Sequence, residues 1–403
     1  MDLKSGYPFW AIKNGLMSPF PRLERDLRCD VAIVGGGITG ALIVRELADR
    51  GHAVALVEGR DIGWGSTAAS TALLQYEIDT HMIDLAKRYG EDDAVRAYRA
   101  CADAIPALQA LAREVRDVDF APMRSLYYAS RRRHVRDMRE ECALRARHGF
   151  DVDWLARPAL REGFGIDAPG AILSALAARV DPYRLAHRLL ARLQRQGAAI
   201  HDRTTIVDLR ATSRQVELRT ADGATLRAGH VVIAAGYAAQ HWLDRRYARN
   251  RSSYAFISDP IDADALGPLA DTMVWESARP YLYLRTTGDG RLLVGGEDDA
   301  VDIPARRDRR VEGKARTLQK KVQALFPDLA FVPAFSWAGT FAETADGLPF
   351  FGAHRQHGPR VLFAMAYGGN GITYSAIGAG LLRCLIERRA HPLASLFGFS
   401  RVE

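Results

Sequence analysis

The sequence predicts an α/β plus α+β fold, in which a parallel βαβ unit is interleaved with antiparallel strands. Three observations predict it. Asp30–Val34 is a short apolar, β-branched run leading straight into Gly35-Gly36-Gly37-Ile38-Thr39-Gly40, as a buried parallel strand feeding a helix does. Residues 253–300 alternate like antiparallel strands, with Gly288-Asp289-Gly290 as a hairpin turn between Tyr281–Arg285 and Arg291–Val294. A second glycine cluster, Gly368–Gly371, stands between an apolar run, Val361–Ala366, and a final helical pattern, Ile372–Glu387.

The remaining elements fall between these. Helical spacing in Ala41, Leu42, Arg45, Glu46 and Leu47 closes at Gly51, and a second apolar strand, Ala53–Val57, ends at Glu58. Residues 81–150 read as mostly helical, in stretches such as Ala94–Val115 and Arg131–Arg147. Asp181-Pro182 opens a helix, Tyr183–Gln196, which stops at Gly197. A cluster of short strands follows at Ala199–His201, Thr205–Leu209, Val216–Leu218 and His230–Ala235, and Val311–Leu325 is an amphipathic helix stopped at Pro327. There is no internal repeat and no linker.

Composition narrows the class. With 403 residues, 48% of them apolar, the chain can bury a core of two or three domain-sized units, and disorder is excluded. The longest apolar runs, Val231–Ala239 and Val361–Tyr367, are well short of the roughly 18 residues of a membrane span. The start of the chain, with Tyr7-Pro8-Phe9-Trp10, has no signal-peptide pattern, so the expected location is the cytoplasm. Four scattered cysteines (Cys29, Cys101, Cys142, Cys384) fit reduced thiols rather than disulfides or metal ligands. The net charge of +7 is spread along the chain. Its one dense run, Arg131-Arg132-Arg133-His134, continues into a mixed-charge pattern (Arg136, Arg139, Glu140, Glu141) that reads as a solvated helix face. Nucleic acid is therefore not an expected partner.

Gly35, Gly37 and Gly40 form GxGxxG between a strand and a helix. The turn needs Gly35, Gly37 lets a pyrophosphate approach the backbone, and Gly40 lets helix and strand pack closely. The helix start at Ile38 and Thr39 offers N–H groups and a partial positive charge. Glu58, eighteen positions after Gly40, stands where a carboxylate accepts from a ribose hydroxyl. Together these make a Rossmann-like dinucleotide site, and the acidic Glu58 argues against NADP. The run Gly63–Thr71, with Gly65, Ser66 and Thr67, supplies further hydrogen-bonding groups. The second helix start, at Gly368, Gly369, Asn370 and Gly371, suits an electron-rich reduced flavin ring. A cofactor touching both ends of the chain fits FAD better than NAD.

These stretches resemble the D-amino-acid oxidase/glycine oxidase/sarcosine oxidase superfamily over essentially the whole chain. They are Val31–Gly40, Glu58 with Gly63–Thr71, Val180-Asp181-Pro182, Val231–Gly236, Arg291–Gly296, Asp346–Gly352 and Tyr367–Thr373. The chain is most similar to the γ-glutamylputrescine oxidoreductase type, through Tyr7–Trp10, Gly63-Trp64-Gly65-Ser66 and Trp337-Ala338-Gly339. The resemblance implies an FAD-binding domain from segments 28–84, 177–250 and 345–395, a substrate domain from 85–176 and 251–344, and an N-terminal extension, 1–27. It places Thr205–Val207 near the adenine, Ala235 and Gly236 beside the cofactor, and Gly369–Thr373, including Ile372 and Thr373, at the flavin N1/O2 edge.

The implied activity is oxidation of a C–N bond in an amine or amino acid, by hydride transfer to flavin N5 with hydrolysis of the imine. Oxygen or a quinone would take the electrons. Two departures from the family pattern matter. The position of the family's carboxylate-clamping arginine holds Phe341, and that of the sarcosine oxidases' oxygen-activating lysine holds Leu293. The flavin-linking cysteine of those oxidases aligns near Gly339, which implies non-covalent FAD.

Strand periodicity supplies candidates for the substrate wall. Tyr281, Tyr283 and Arg285 share one strand face. There Arg285 would meet an anionic end of the substrate, although an arginine snorkelling at a strand end explains it as well. Trp337 and Phe341 are candidate pocket walls, and Gln75 and Tyr76 candidates for the flavin edge. His81, His241, His354 and His357 have no triad or metal spacing and read as structural or exposed; no metal site is expected. Glu297-Asp298-Asp299 reads as a solvated turn. Two alternatives stay open at this point: a flavoprotein of the same fold acting on RNA, and an NAD-binding dehydrogenase without flavin.

Overall fold

The computed structural model describes residues 2–15, 17–301 and 303–402, so Met1 and Leu16 of the expected extension lie outside the described residues. Two sheets organise the chain. The first is built around the expected βαβ unit, and its strands run in the order Phe350–Ala353, Val361–Met365, Thr225–Ile233, Leu27–Val34, Val54–Val57, Ala199–His201. All neighbours in this row are parallel except the outermost pair, Phe350–Ala353 with Val361–Met365. Such strands are apolar on both faces because both faces are covered. Val31 and Ile33 pack under the helices Ile38–Ala48, Pro182–Arg195 and Gly371–Ile386, whereas Ala32 and Ile233 pack on the opposite side with Tyr247, Phe350 and Phe399. Burying each such valine or isoleucine contributes about 1.5–3 kcal/mol.

The second sheet has the order Pro333–Glu343, Arg249–Pro260, Arg291–Asp299, Leu282–Thr286, Thr272–Glu276, Ala121–Tyr128, Gly170–Arg179, Leu73–Gln75, with Val152–Ala156 also paired to Gly170–Arg179. It is antiparallel except where Thr272–Glu276 runs beside Ala121–Tyr128. Ala121–Tyr128 is a correction, since it lies in the region read as helical. The flanking Ala/Leu/Arg stretches do form the helices Glu91–Val115 and Val135–Arg147. Between them, the aromatic end of Ala121–Tyr128 buries against the neighbouring strands.

A second correction concerns the helix Val135–Arg147. Arg131–Arg133, Arg136, Arg139 and Glu140 are exposed, as a solvated face requires, but Glu141 and, one turn on, Arg145 are fully buried. The Glu141 carboxylate accepts from the N–H groups of Met82 and Ile83, both at 2.9 Å, at the start of the helix Met82–Tyr89. Arg145 lies 2.7 Å from Glu141 and 3.8 Å from the buried Glu77. This ion cluster fixes the segment that follows the strand Leu73–Gln75.

The start of the chain is tied to the second sheet. Lys4 bridges to Gly339, and the buried Arg307 donates to the carbonyls of Asp2 and Lys4. The short helix Phe9–Asn14 then buries Trp10, whose indole donates to the Ser70 carbonyl at 2.7 Å. Among the described residues no helix is long and apolar enough to cross a membrane.

Candidate active site

The first glycine turn is held by backbone contacts that only glycine permits. Gly35 sits at φ 121°, and a Cβ there would stand 2.3 Å from the Ala234 carbonyl oxygen; one on Gly40 would stand 2.0 Å from the Gly35 oxygen. Gly40 therefore faces the strand and not a ligand. Glu58 closes the turn from the next strand end, accepting from the N–H groups of Gly36 at 2.8 Å and Arg60 at 2.9 Å. Thr67 Oγ1 accepts from the Ile38 N–H at 3.0 Å, which draws the Gly65–Thr67 loop onto the helix start.

The second turn is built the same way. The Gly369 N–H donates to Asp79 at 2.8 Å, and the Asn370 amide donates to the carbonyls of Gln75 at 3.2 Å and Glu77 at 2.9 Å. The helix Gly371–Ile386 starts there, and the N–H groups of its first turn have no carbonyl partners within the helix.

One cavity of about 690 Å3 joins both turns to the second sheet. Of the expected cofactor residues, Gly35, Gly37, Ile38, Thr39, Glu58, Gly65, Ser66, Thr67, Gln75, Ala235, Gly236, Gly368, Gly369, Asn370, Gly371 and Ile372 line it. Thr373 lies one step behind, its hydroxyl toward the Gln75 carbonyl, and Tyr76 is buried in the core behind the cavity. Val207 is a correction. It is 58% exposed, and the lining is made by Thr204, Thr205 and Ile206, because successive residues of the strand Ile206–Ala211 face opposite ways.

Of the expected substrate-wall residues, Tyr281, Tyr283, Trp337 and Phe341 line the cavity. Arg285 does not. It shares the sheet face of Tyr283, but the cavity ends before it, and Trp10 lies over its guanidinium at 5.5 Å. Completely buried, it donates to the carbonyls of Thr71, Val180 and Thr286 at 2.8–3.0 Å. It is a structural clasp and has no access to a substrate anion. His241 lies at the cavity rim, while His81 and His354 are bonded to Tyr127 and Tyr247.

The reading of Glu297-Asp298-Asp299 as a solvated turn is also overturned. The three close the strand Arg291–Asp299, Glu297 is ion-paired with Lys314 and Lys321, and Asp298 lines the cavity. A β-bulge explains why Asp298 and not Glu297 turns inward. Tyr254 pairs with Gly296 and Ser252 with Asp299, so one extra residue sits on this strand, with Gly296 at φ 134° and Glu297 at φ 54°. Sequence reasoning also passed over Asp79, Trp275 and Arg279, all in the lining. The mouth beyond them, about 460 Å3, is bounded by Asp79, Asp298, Glu343, Arg251 and Arg279, with Arg251 paired to Glu343 and Arg279 stacked 3.8 Å over Tyr281.

Burial pushes the Tyr281 phenol well up and that of Tyr283 to about 12, so both stay neutral hydrogen-bonding groups. Burial also raises Asp298 to about 6, with Asp79 and Glu343 adding to the rise, against opposing effects of the Ser253 hydroxyl and Arg279.

The residues fit FAD. A carboxylate stands at one end, the two helix starts face the cavity for a pyrophosphate and for an electron-rich ring, and glycines leave the walls bare between them. A Cβ on Gly37 would already crowd Thr67 Oγ1 at 3.0 Å, and one on Gly339 would crowd the Ala69 methyl at 3.1 Å.

Comparison with known proteins agrees. The family model described as DAO, FAD dependent oxidoreductase, matches residues 30–385. Glycine oxidase of Geobacillus kaustophilus (strain HTA426) is 30% identical over 90% of this chain and 94% of its own length. Gamma-glutamylputrescine oxidoreductase of Escherichia coli (strain K12) is 25% identical over 94% of this chain and 88% of its own. The crystal structure of glycine oxidase from Geobacillus kaustophilus superposes with a TM-score of 0.81 at 25% identity, covering 94% of this chain and 100% of that one. A nicotinamide dehydrogenase without flavin is thereby set aside: the chain belongs to the DAO family of FAD-dependent oxidoreductases.

Proposed function

We propose that the enzyme oxidises a C–N bond of a small amine, the substrate carbon giving hydride to flavin N5 and the imine being hydrolysed in water. The observation that carries this reading is the continuity of the cavity. It runs from the two glycine turns to a wall of Trp275, Tyr281, Tyr283 and Phe341 supplied by the other sheet. The relatives support it, being named for glycine and γ-glutamylputrescine, each of which carries an amine. FAD, when bound, supplies the hydride acceptor. Gly35–Thr39, Glu58 and the Gly65–Thr67 loop would hold its phosphates and ribose, and the first turn of the helix Gly371–Ile386 would face its ring. The aromatic wall holds the substrate carbon in line and keeps water away while the reaction proceeds.

Phe341, at the sequence position that the resemblance gives to the family's arginine clamp, lines the cavity and offers an apolar surface only. A substrate carboxylate seated against Phe341 would be buried there at a cost of several kcal/mol, because Arg279, a guanidinium of the lining, is stacked on Tyr281 and shared with Glu343. Glycine and D-alanine should therefore reduce the flavin poorly compared with longer or secondary amines. Anaerobic bleaching of the visible flavin absorbance by a panel of amines and amino acids tests the proposal; no bleaching by any amine would defeat it.

Two further outcomes are expected. Acid precipitation should release FAD into the supernatant, since among the described residues no cysteine lines the cavity. Colour retained in the pellet would show a covalent bond instead. The reduced enzyme should react slowly with oxygen and faster with a quinone. No lysine lines the cavity among the described residues, and Leu293 packs against Trp10 and Trp337, so no ammonium stands by to stabilise developing superoxide. Stopped-flow reoxidation in air at the rate of a good oxidase would contradict this.

A further inference from the structure

We propose that Asp298 is the substrate's ammonium receptor and the base that takes its proton before hydride transfer, a role that rests on the amine reading above. The geometry is specific to this residue. The bulge at Gly296 and Glu297 turns Asp298 into the cavity, while Glu297 beside it is neutralised by Lys314 and Lys321 on the outside. The Asp298 Oδ1 atom is buried with no hydrogen-bond partner. An unpaired buried carboxylate oxygen is costly and seldom retained without use. A cation with N–H donors, small enough to pass the mouth, would satisfy it.

The groups facing Asp298 come from four other segments. Asp79 stands after the strand Leu73–Gln75, Glu343 ends the strand Pro333–Glu343, and Arg279, Tyr281 and Tyr283 come from the segment entering Leu282–Thr286. Ser253, from Arg249–Pro260, bonds the Tyr283 hydroxyl at 3.2 Å and stands beside the carboxylate. Arg251, at the mouth, is engaged by Glu343. Arg279 is thus the guanidinium that competes with an incoming ammonium, and it is stacked on Tyr281 and shared with Glu343 at 3.8 Å. Three carboxylates against two guanidiniums favour a cation in the mouth.

The step balances simply. An alkylammonium binds Asp298 Oδ1, its N–H bond breaks with the electron pair left on nitrogen, and an O–H bond forms on the carboxyl. The amine then holds the lone pair that the departing hydride requires. A carboxylate held near pH 6 by burial is suited to this exchange, because it is ionised when the substrate arrives and still a stronger base than an exposed aspartate.

The test uses the FAD-loaded enzyme and tert-butylamine, an amine with no hydrogen on the carbon bearing nitrogen, which cannot be oxidised. Binding is read from the flavin spectrum and from calorimetry in two buffers of different ionisation heat. In the parent, affinity should fall as pH drops below about 6, and each amine bound at pH 5 should release close to one proton, with none released at pH 8. Asp298→Asn should bind at least tenfold more weakly and lose the pH dependence. It should also melt at a higher temperature than the parent at pH 8 but not at pH 4, because the unpaired charge is gone. Unchanged affinity and pH profile in the variant, or no proton release by the parent at pH 5, would overturn the proposal. The two readings fail separately. If amines bleach the parent and the variant alike, Asp298 is wrong and the amine reading stands; if tert-butylamine binds through Asp298 but no amine bleaches the parent, the receptor stands and the amine reading falls.

Discussion

Replacing Arg145 with methionine should destabilise the protein by about 3–5 kcal/mol at neutral pH, the usual result of removing one member of a buried ion cluster. The side chain is fully buried and its Nε donates to Glu141 at 2.8 Å, with Glu77 also within reach and the rings of Tyr76 and Tyr98 beside the guanidinium. Burial alone would push the Glu141 carboxyl up. Arg145, then His81 and the N–H groups of Ile83 and Met82, more than offset this and hold it below the usual range. In the parent that depressed carboxyl contributes stability above the unfolded carboxylate range, and the contribution is lost as pH falls through the folded value. In the variant the sign reverses. Glu141 is left as a buried carboxylate without its counter-charge, so the penalty is full at neutral pH and shrinks as acid protonates it. Urea midpoints at pH 7.5 and pH 5 should therefore differ more in the parent-to-variant gap at the higher pH. The triple variant Glu77→Gln, Glu141→Gln, Arg145→Met should recover much of the loss, since neutral groups of similar shape need no counter-charge. A single variant with the parent's midpoint at both pH values would show the cluster to be energetically idle. FAD affinity should fall with stability, because the Glu77 carbonyl holds the Asn370 amide at the second turn.

The parts of this molecule legible in its sequence are those where chemistry and backbone coincide over a few residues. The strand Leu27–Val34, the glycine turn and the helix Ile38–Ala48 form one local unit. A phosphate site made of backbone N–H groups needs glycines at fixed spacing, whatever surrounds it. The parts missed depend on contacts from afar. Arg285 lies on the face periodicity assigns it, but Trp10, from a segment 275 residues earlier, covers that end of the face. Asp298 was hidden by a single inserted residue, because alternation carried through the strand Arg291–Asp299 points Glu297 inward until the bulge reverses it. Glu141 and Arg145 have the i, i+4 spacing of a surface pair, and only the helix Met82–Tyr89 packed on them makes the pair a buried one.

Gly37→Val should give a folded protein that has lost FAD. The backbone at Gly37, φ −79° and ψ −175°, is open to any residue, unlike Gly35, where an alanine would be strained and would collide with the Ala234 carbonyl. The cost at Gly37 is therefore borne at the ligand site. The new Cβ meets Thr67 Oγ1 at 3.0 Å, loosening its hydrogen bond to the Ile38 N–H, and the γ-methyl groups enter the cavity at the helix start. An anion would have to give up its closest approach to the N–H groups that carry the helix's partial positive charge. A loss of more than ~100-fold in FAD affinity is expected, about 2.8 kcal/mol at 1.4 kcal/mol per tenfold. Glu58→Ala should cost about 1.5–3 kcal/mol by removing hydrogen bonds to a charged acceptor. It should disturb the turn as well, since both carboxylate oxygens also hold backbone N–H groups. Titrating apoprotein with FAD, with far-ultraviolet circular dichroism to confirm the fold, separates the two effects. If Gly37→Val keeps the parent's spectrum and binds FAD as tightly, the pyrophosphate does not lie against this turn and the orientation of the cofactor in the cavity must be reassigned.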